Sequence, residues 1–181
     1  MKQNSGSHAK FLSEKDYNRL KCEIKEIRDI FLIKVLYETG CELNELVKIK
    51  VKDIVNDSIC FDENNNNQRK SSISKNLANN LQKYIIGNWL NENDYLFKTR
   101  QSGHISTKRV QQLINDYSIK AGLHKINTQF IRYTHIAHAY QKGIQNQIIS
   151  KQIGLTKQRV FQIITDLNMT SNLGGYNKFF N

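Results

Sequence analysis

The chain has 181 residues, a formal net charge of +11 at pH 7 and no proline, long enough for one domain with a sizeable core. The first ten residues, MKQNSGSHAK, lack the apolar stretch of a secretory signal, and no apolar run approaches the ~18 residues of a membrane span, so a cytoplasmic or nuclear protein is expected. Cys22, Cys41 and Cys60 form no CxxC pair, which argues against a zinc site or disulfide framework and for buried free thiols.

Residues 1–10 read as a disordered leader. Ser13 stands in N-cap position before Tyr17, Leu20 and Ile24 at helical spacing. Residues 27–38 form a strongly apolar helix closed by Thr39-Gly40, with Gly40 as its C-terminal cap. A shorter helix follows over 43–50, with Asn44 as its expected N-cap. Residues 51–61 bring β-branched side chains and an Asn-Asp turn signal, the opening of a small antiparallel sheet. Residues 64–67 are all asparagine and make a hairpin tip, and 70–74 would be the returning strand.

Helical spacing resumes over 75–90 through Leu77, Leu81, Tyr84, Ile85 and Trp89. Tyr95-Leu96-Phe97 is a short extended piece. Ser106 or Thr107 then caps a helix with Val110, Leu113, Ile114 and Tyr117 on one face and Gly122 as its stop. Residues 128–141 are helical up to Gly143, and 146–167 carry two short helices around Gly154. The fold class is mainly α with a small antiparallel β-sheet in the first half. A domain over 11–167 and a tail over 168–181 complete the division.

Charge is unevenly spread. Residues 1–97 carry 15 Lys/Arg against 14 Asp/Glu, whereas residues 98–181 carry 12 against 2. An excess of cations on a half that also shows apolar periodicity suits a folded surface facing a polyanion, and duplex DNA is the expected partner.

The order of elements resembles the catalytic domain of the tyrosine recombinases, the phage integrase family. Residues 29–54, DIFLIKVLYETGCELNELVKIKVKDI, resemble its first long helix, the Thr-Gly turn and the helix that ends in a strand. YLFKTRQSGHISTKRVQQLINDYSIKAG over 95–122 resembles its Leu-Phe strand, the Ser-Thr cap and the next helix. INTQFIRYTHIAHAYQKG over 126–143 resembles the helix that bears the HxxR motif, and 147–166 the Leu-Gly-His segment with the nucleophile helix. No counterpart of the family's separate N-terminal DNA-binding domain is expected in these residues.

What the resemblance implies about chemistry is mostly loss. The family attacks a DNA phosphate with a tyrosine, steadies it with two arginines and His-type donors, and protonates the leaving hydroxyl with a hairpin lysine. The position of the first arginine holds Glu42, an anion where a phosphate would sit. HxxR reads Gln129-Phe130-Ile131-Arg132, so the second arginine remains, as a DNA phosphate contact or as a member of an internal salt bridge. Leu155 fills the histidine position of Leu-Gly-His, and Phe161 falls on the nucleophile position once a gap of about three residues is allowed. Arg69 or Lys70 would serve as the hairpin cation. Tyr176 in the tail is the one late tyrosine left to replace the nucleophile.

Residues 148–164, IISKQIGLTKQRVFQII, also fit a helix-turn-helix. Gly154 permits the turn, Thr156 caps the second helix, and Lys157, Gln158 and Arg159 are its first exposed residues, against the plainer reading of a packed pair with a solvated face. Lys108 and Arg109 open another helix and are further candidates for phosphate contacts. His135 and His138 lie three apart without an acidic or cysteine partner, so no metal is expected. Tyr176, Phe179 and Phe180 suggest a tail that docks on this molecule or on a neighbour; in the family this segment often packs onto an adjacent protomer.

The reading that follows is a non-catalytic DNA-binding protein of recombinase fold, needing no cofactor. An active divergent recombinase and a helix-turn-helix transcriptional regulator stay open beside it, with a protein-interaction module behind them.

Overall fold

The computed structural model describes residues 10–63, 67–99 and 103–170. Eight helices and one hairpin run in the order α1 (Glu14–Glu23), α2 (Ile27–Thr39), α3 (Leu43–Lys48), a 3-10 turn (Val51–Asp53), β1 (Ser58–Glu63), β2 (Asn67–Ser72), α4 (Lys75–Gly87), α5 (Thr107–Lys120), α6 (Thr128–Gln141), α7 (Asn146–Ile153) and α8 (Lys157–Asp166). This is the mainly helical architecture with a two-stranded antiparallel sheet that the sequence pattern implies.

Side-chain caps set five of the helix starts. The side-chain oxygens of Ser13, Ser74, Ser106, Asn127 and Thr156 each accept from the backbone N–H three residues on. Each such bond satisfies a donor that the helix leaves orphaned and contributes about 1 kcal/mol. α3 departs from the expectation. Its N-cap is Glu42, not Asn44, in a reciprocal capping box with Glu45.

Other boundaries moved for physical reasons. The returning strand lies at Asn67–Ser72, in register with β1 through Cys60↔Lys70 and Phe61↔Arg69, and Ile73 follows it as a buried residue outside the ladder. α4 stops at Gly87. Trp89 therefore leaves the apolar face, adopts φ 53° and is 89% exposed. Of the three thiols only Cys41 is fully buried, and burial pushes it up to about 12; Cys60 is intermediate and Cys22 exposed.

Two apolar cores form, and α6 lies between them. The larger gathers α1 to α5 with Ile126 and Ile131, and the smaller joins Ile136 and Ala137 to the inner faces of α7 and α8. Asp29, buried on α2, accepts from Tyr117 Oη of α5 at 2.8 Å and pairs with Arg28, so it is not left as an uncompensated charge. No helix among the described residues is long and apolar enough to cross a membrane.

The end of α7 is seated against its neighbours at two glycines. Gly40 (φ 58°) ends α2 so close to Ile153 that an added Cβ would lie 2.5 Å from its Cγ2. Gly154 (φ 69°) ends α7, and a Cβ there would meet Arg69 Cδ and Nε at 2.5 Å. Gly154→Ala must strain a left-handed residue and displace a buried guanidinium. A loss of roughly 2–3 kcal/mol in urea unfolding is expected from these combined terms.

Candidate functional site

The centre of the site is a double clamp of two arginines on the last turn of α7. Arg69 projects from β2 and donates from Nη1 to Gln152 O at 2.9 Å and to Ser71 Oγ. Arg132 projects from α6 and donates from Nη2 to Ile153 O at 2.8 Å. Cations at a helix C-terminus meet carbonyls that have no partner within the helix, and they complement the negative end of its dipole.

Each arginine is matched by a glutamate of α3. Arg69 Nη2 pairs with Glu45 Oε1 at 2.5 Å, and Arg132 Nη1 with Glu42 Oε1 at 2.9 Å. Glu42 and Glu45 are three residues apart and so stand on one face of their short helix. Both guanidiniums are buried, at 7% exposure for each residue, whereas the Glu42 side chain is 59% exposed. Arg69 also lies over the Phe61 ring, 4.3 Å from its centroid. Arg132 Nε is buried with no hydrogen-bond partner.

Gln152 adds a third tie. Its Oε1 accepts from Ser72 N at 3.0 Å while its Nε2 donates to Ser72 O and to Glu38 O at 2.7 and 2.9 Å. The side-chain amide thus extends the edge of the hairpin as a strand would.

The residues singled out from the sequence separate into two groups. Glu42 and Arg132 meet, as their shared place around one phosphate in the resemblance requires. Gln129 is exposed on the first turn of α6, three residues before Arg132. Leu155 is half-buried against the smaller core, and Phe161 on α8 is 53% exposed. Lys70, Lys108, Arg109, Lys157, Gln158 and Arg159 are all exposed. Arg159 also donates to Gln162 Oε1 at 2.8 Å. Arg69 and Arg132 are held inward. Tyr176, Phe179 and Phe180 lie outside the described residues. Sequence reading did not find Glu45 or Gln152 as members of the site.

His135 and His138 serve the fold. His138 Nε2 donates to Leu12 O at 2.9 Å, so its Nδ1 accepts from Tyr37 Oη, also at 2.9 Å. Leu12 N donates in turn to Thr134 Oγ1 at 2.9 Å, which fastens the start of the described chain to α6. Among the described residues no group of three or more His, Cys, Asp or Glu is placed to hold a metal ion.

Burial pulls His138 below the usual histidine range and His135 down to about 4. The unfolded chain takes up these protons near pH 6.5; the folded chain takes up both only at lower pH, the one on His135 at about 4. Stability is therefore full above pH 6.5 and falls as pH drops through the window below it. From pH 7.5 to 5 a loss of about 2 kcal/mol is expected for His135 alone. Urea midpoints at the two pH values check this, and His135→Gln should flatten the difference.

The fold and this site can be set beside known proteins. The Phage integrase family matches residues 10–170. A tyrosine recombinase of Pseudothermotoga lettingae is 27% identical over 139 residues, taking in 75% of this chain and 48% of its own. Tyrosine recombinase XerA of Pyrococcus horikoshii is 25% identical over 162 residues, 86% of this chain and 56% of its own. The chain thus spans about half the length of these relatives. Among solved structures, that of XerA recombinase superposes with a TM-score of 0.80 at 23% identity, over 99% of this chain and 66% of that one. XerH site-specific recombinase bound to its difH substrate gives 0.75 at 20% identity, over 86% and 50%. The catalytic domain of bacteriophage HP1 integrase gives 0.66 at 16%, over 92% and 93%. What is shared at these identities is the fold. With the family pattern running through nearly the whole of it, the chain belongs to the phage integrase family.

Proposed function

We propose that this chain binds duplex DNA with a tyrosine recombinase fold and does not itself carry out strand transfer. The observation behind this reading is the Glu42–Arg132 pair, 2.9 Å apart. In the resemblance a scissile phosphate would sit between two arginines. Here a carboxylate stands in place of one and is bonded to the other. An anion at that point opposes the phosphate that Arg132 would steady, and the loss of even one donor of this kind costs about 3 kcal/mol of transition-state binding. Gln129 keeps a hydrogen-bond donor, while Leu155 and Phe161 offer none. Residues that act as a unit do not leave a modestly slower enzyme when several are gone.

DNA binding is supported by the 12 Lys/Arg against 2 Asp/Glu over residues 98–181 and by the exposure of Lys70, Lys108, Arg109, Lys157, Gln158 and Arg159. These residues make the interface in this reading, with Arg69 and Arg132 behind it. The tail over 168–181 is the element proposed for self-association.

Fluorescence anisotropy with a mixed-sequence duplex at several salt concentrations tests the binding. The logarithm of affinity should fall linearly with that of salt, with a slope of about −0.9 for each phosphate neutralised. A nicked duplex that traps covalent intermediates tests the chemistry, and no detergent-resistant adduct is expected. An adduct abolished by Tyr176→Phe would replace this reading with an active recombinase. A second reading, a helix-turn-helix regulator, is favoured by Lys157, Gln158 and Arg159 standing exposed just after the Thr156 cap. Loss of a selected site's preference on Gln158→Ala, with affinity for random DNA unchanged, would support it.

A further inference from the structure

A polar cleft of about 480 Å³ opens beside α3, next to the arginine clamp, and is lined by Lys48, Lys50, Lys52, Tyr95 and His104 among others. The chain creates it in three steps. α3 ends at Lys48, and Lys50 then forms an antiparallel bridge with Tyr95. Leu96 N donates to Ile49 O at 2.8 Å and Val51 N to Asp94 O at 3.0 Å, which holds the two segments together. His104 packs edge-on against the Tyr95 ring, 4.8 Å between centroids. Lys48, Lys50 and Lys52, two residues apart in sequence, thereby all line the cleft.

The carboxylates lining this cleft are already engaged. Glu45 gives Oε1 to Arg69 and Oε2 to the N–H of Glu42. Asp53 Oδ2 accepts from Lys50 N at 2.7 Å. Among the described residues none of the three lysines belongs to an ion pair. The Lys50 ammonium lies over the Tyr95 ring at 5.5 Å from its centroid. The cleft therefore sets three lysines and an aromatic surface against the Asp53 carboxylate, while Glu45 is already balanced by Arg69.

We infer that this cleft is a second binding site for the phosphodiester backbone of DNA, supplied by the half of the chain whose overall charge is nearly balanced. Three lysines spaced along one segment suit an extended polyanion better than a compact one, which a convergent cage would hold. Continuity with the clamp gives the direction. Glu45 lines the cleft and pairs with Arg69, one helical turn from Glu42 and Arg132. A strand that passes the exposed Glu42 side of the clamp and follows α3 meets Lys48, Lys50 and Lys52 in order. Neutralising phosphates there releases counterions as at any other basic face.

The inference rests on the DNA-binding reading above, and the test separates the two. The variant Lys48→Gln/Lys50→Gln/Lys52→Gln is compared with the unaltered chain by anisotropy on the same duplex across a salt series. Lys48→Gln/Lys52→Gln, which keeps Lys50 on Tyr95, guards against misfolding, and circular dichroism melts are run on both. The salt slope should fall by roughly one unit for each lysine removed, about 2 for the double variant, with the melting curve unchanged. An unaltered slope with tight binding overturns the cleft and leaves the DNA-binding reading standing. No binding by the unaltered chain overturns both. Inorganic phosphate is the further probe. If it protects the cleft lysines from acetylation at millimolar concentration and the duplex does not, the cleft holds a free anion and not a strand.

Discussion

Arg69→Ala is expected to lower stability by roughly 3–5 kcal/mol, the range for removing one partner of a buried ion pair. The side chain is 5% exposed and holds together three elements: Glu45 of α3, Ser71 of its own strand and the Gln152 carbonyl of α7. Truncation leaves Glu45 without its cation, leaves the Gln152 carbonyl with Ser71 Oγ as its remaining donor and opens a void beneath Gly154. A largely buried charge left without its partner costs more than the made pair contributes, which is why the effect should exceed that of a surface pair. Glu45 is 22% exposed on its side chain, so it can turn partly toward water and hold the loss near the lower end. Urea unfolding with a constant m-value measures it. Arg69→Met should recover the packing on Phe61 but not the charge pairing, and Arg69→Met/Glu45→Gln should recover more than the sum of the single changes allows. A loss under about 1 kcal/mol for Arg69→Ala would mean that the clamp does not hold the hairpin to α7.

Much of the fold was legible because its signals are local. Ser13, Ser106 and Thr156, read as N-caps from the sequence, cap their helices within three residues of themselves, as do Ser74 and Asn127, which were not read so, and the apolar spacing of α5 and α6 is a property of one turn and the next. The clamp is not local. Arg69 meets Gln152 across 83 positions and Arg132 meets Glu42 across 90. Whether Arg69 or Lys70 faces the core depends on hairpin register, and a slip of one residue exchanges the faces of a strand. With polar residues throughout 67–72, no apolar alternation marked that register. Pairing with Phe61 turns Arg69 inward and leaves Lys70, opposite Cys60, in solvent. The α3 cap was missed for a related reason. Glutamate is a poor N-cap by itself, and Glu42 works here through its exchange with Glu45. Glu42 lies 2.9 Å from Arg132 in the structure, and in the sequence its register rests on the Thr-Gly turn before it and Glu45-Leu46 after it.

Glu42→Gln is expected to tighten duplex binding about tenfold at low salt while changing stability by less than about 1 kcal/mol. The two effects part because the Glu42 carboxylate faces both ways. Its side chain is 59% exposed, so its bond to Arg132 contributes as a surface pair does. Arg132 keeps the Ile153 carbonyl in the variant, and glutamine can still accept from Nη1. Toward solvent, however, the same carboxylate presents a negative charge where the resemblance brings a phosphate nearest to Arg132. Removing a like-charge contact of this kind accounts for the tenfold gain, about 1.4 kcal/mol. Since the pair is exposed on one side, the gain should shrink as salt rises and the screening length falls to ~8 Å at 0.15 M. Glu42→Arg should bind more tightly again, at some cost in stability, because two guanidiniums would then share the mouth of the site. Neither variant should form a covalent adduct, as Leu155 and Phe161 still supply no donor and no nucleophile. Unchanged affinity in both would show that the backbone does not approach Arg132, and would leave the DNA to the exposed cations of α5, α8 and the hairpin.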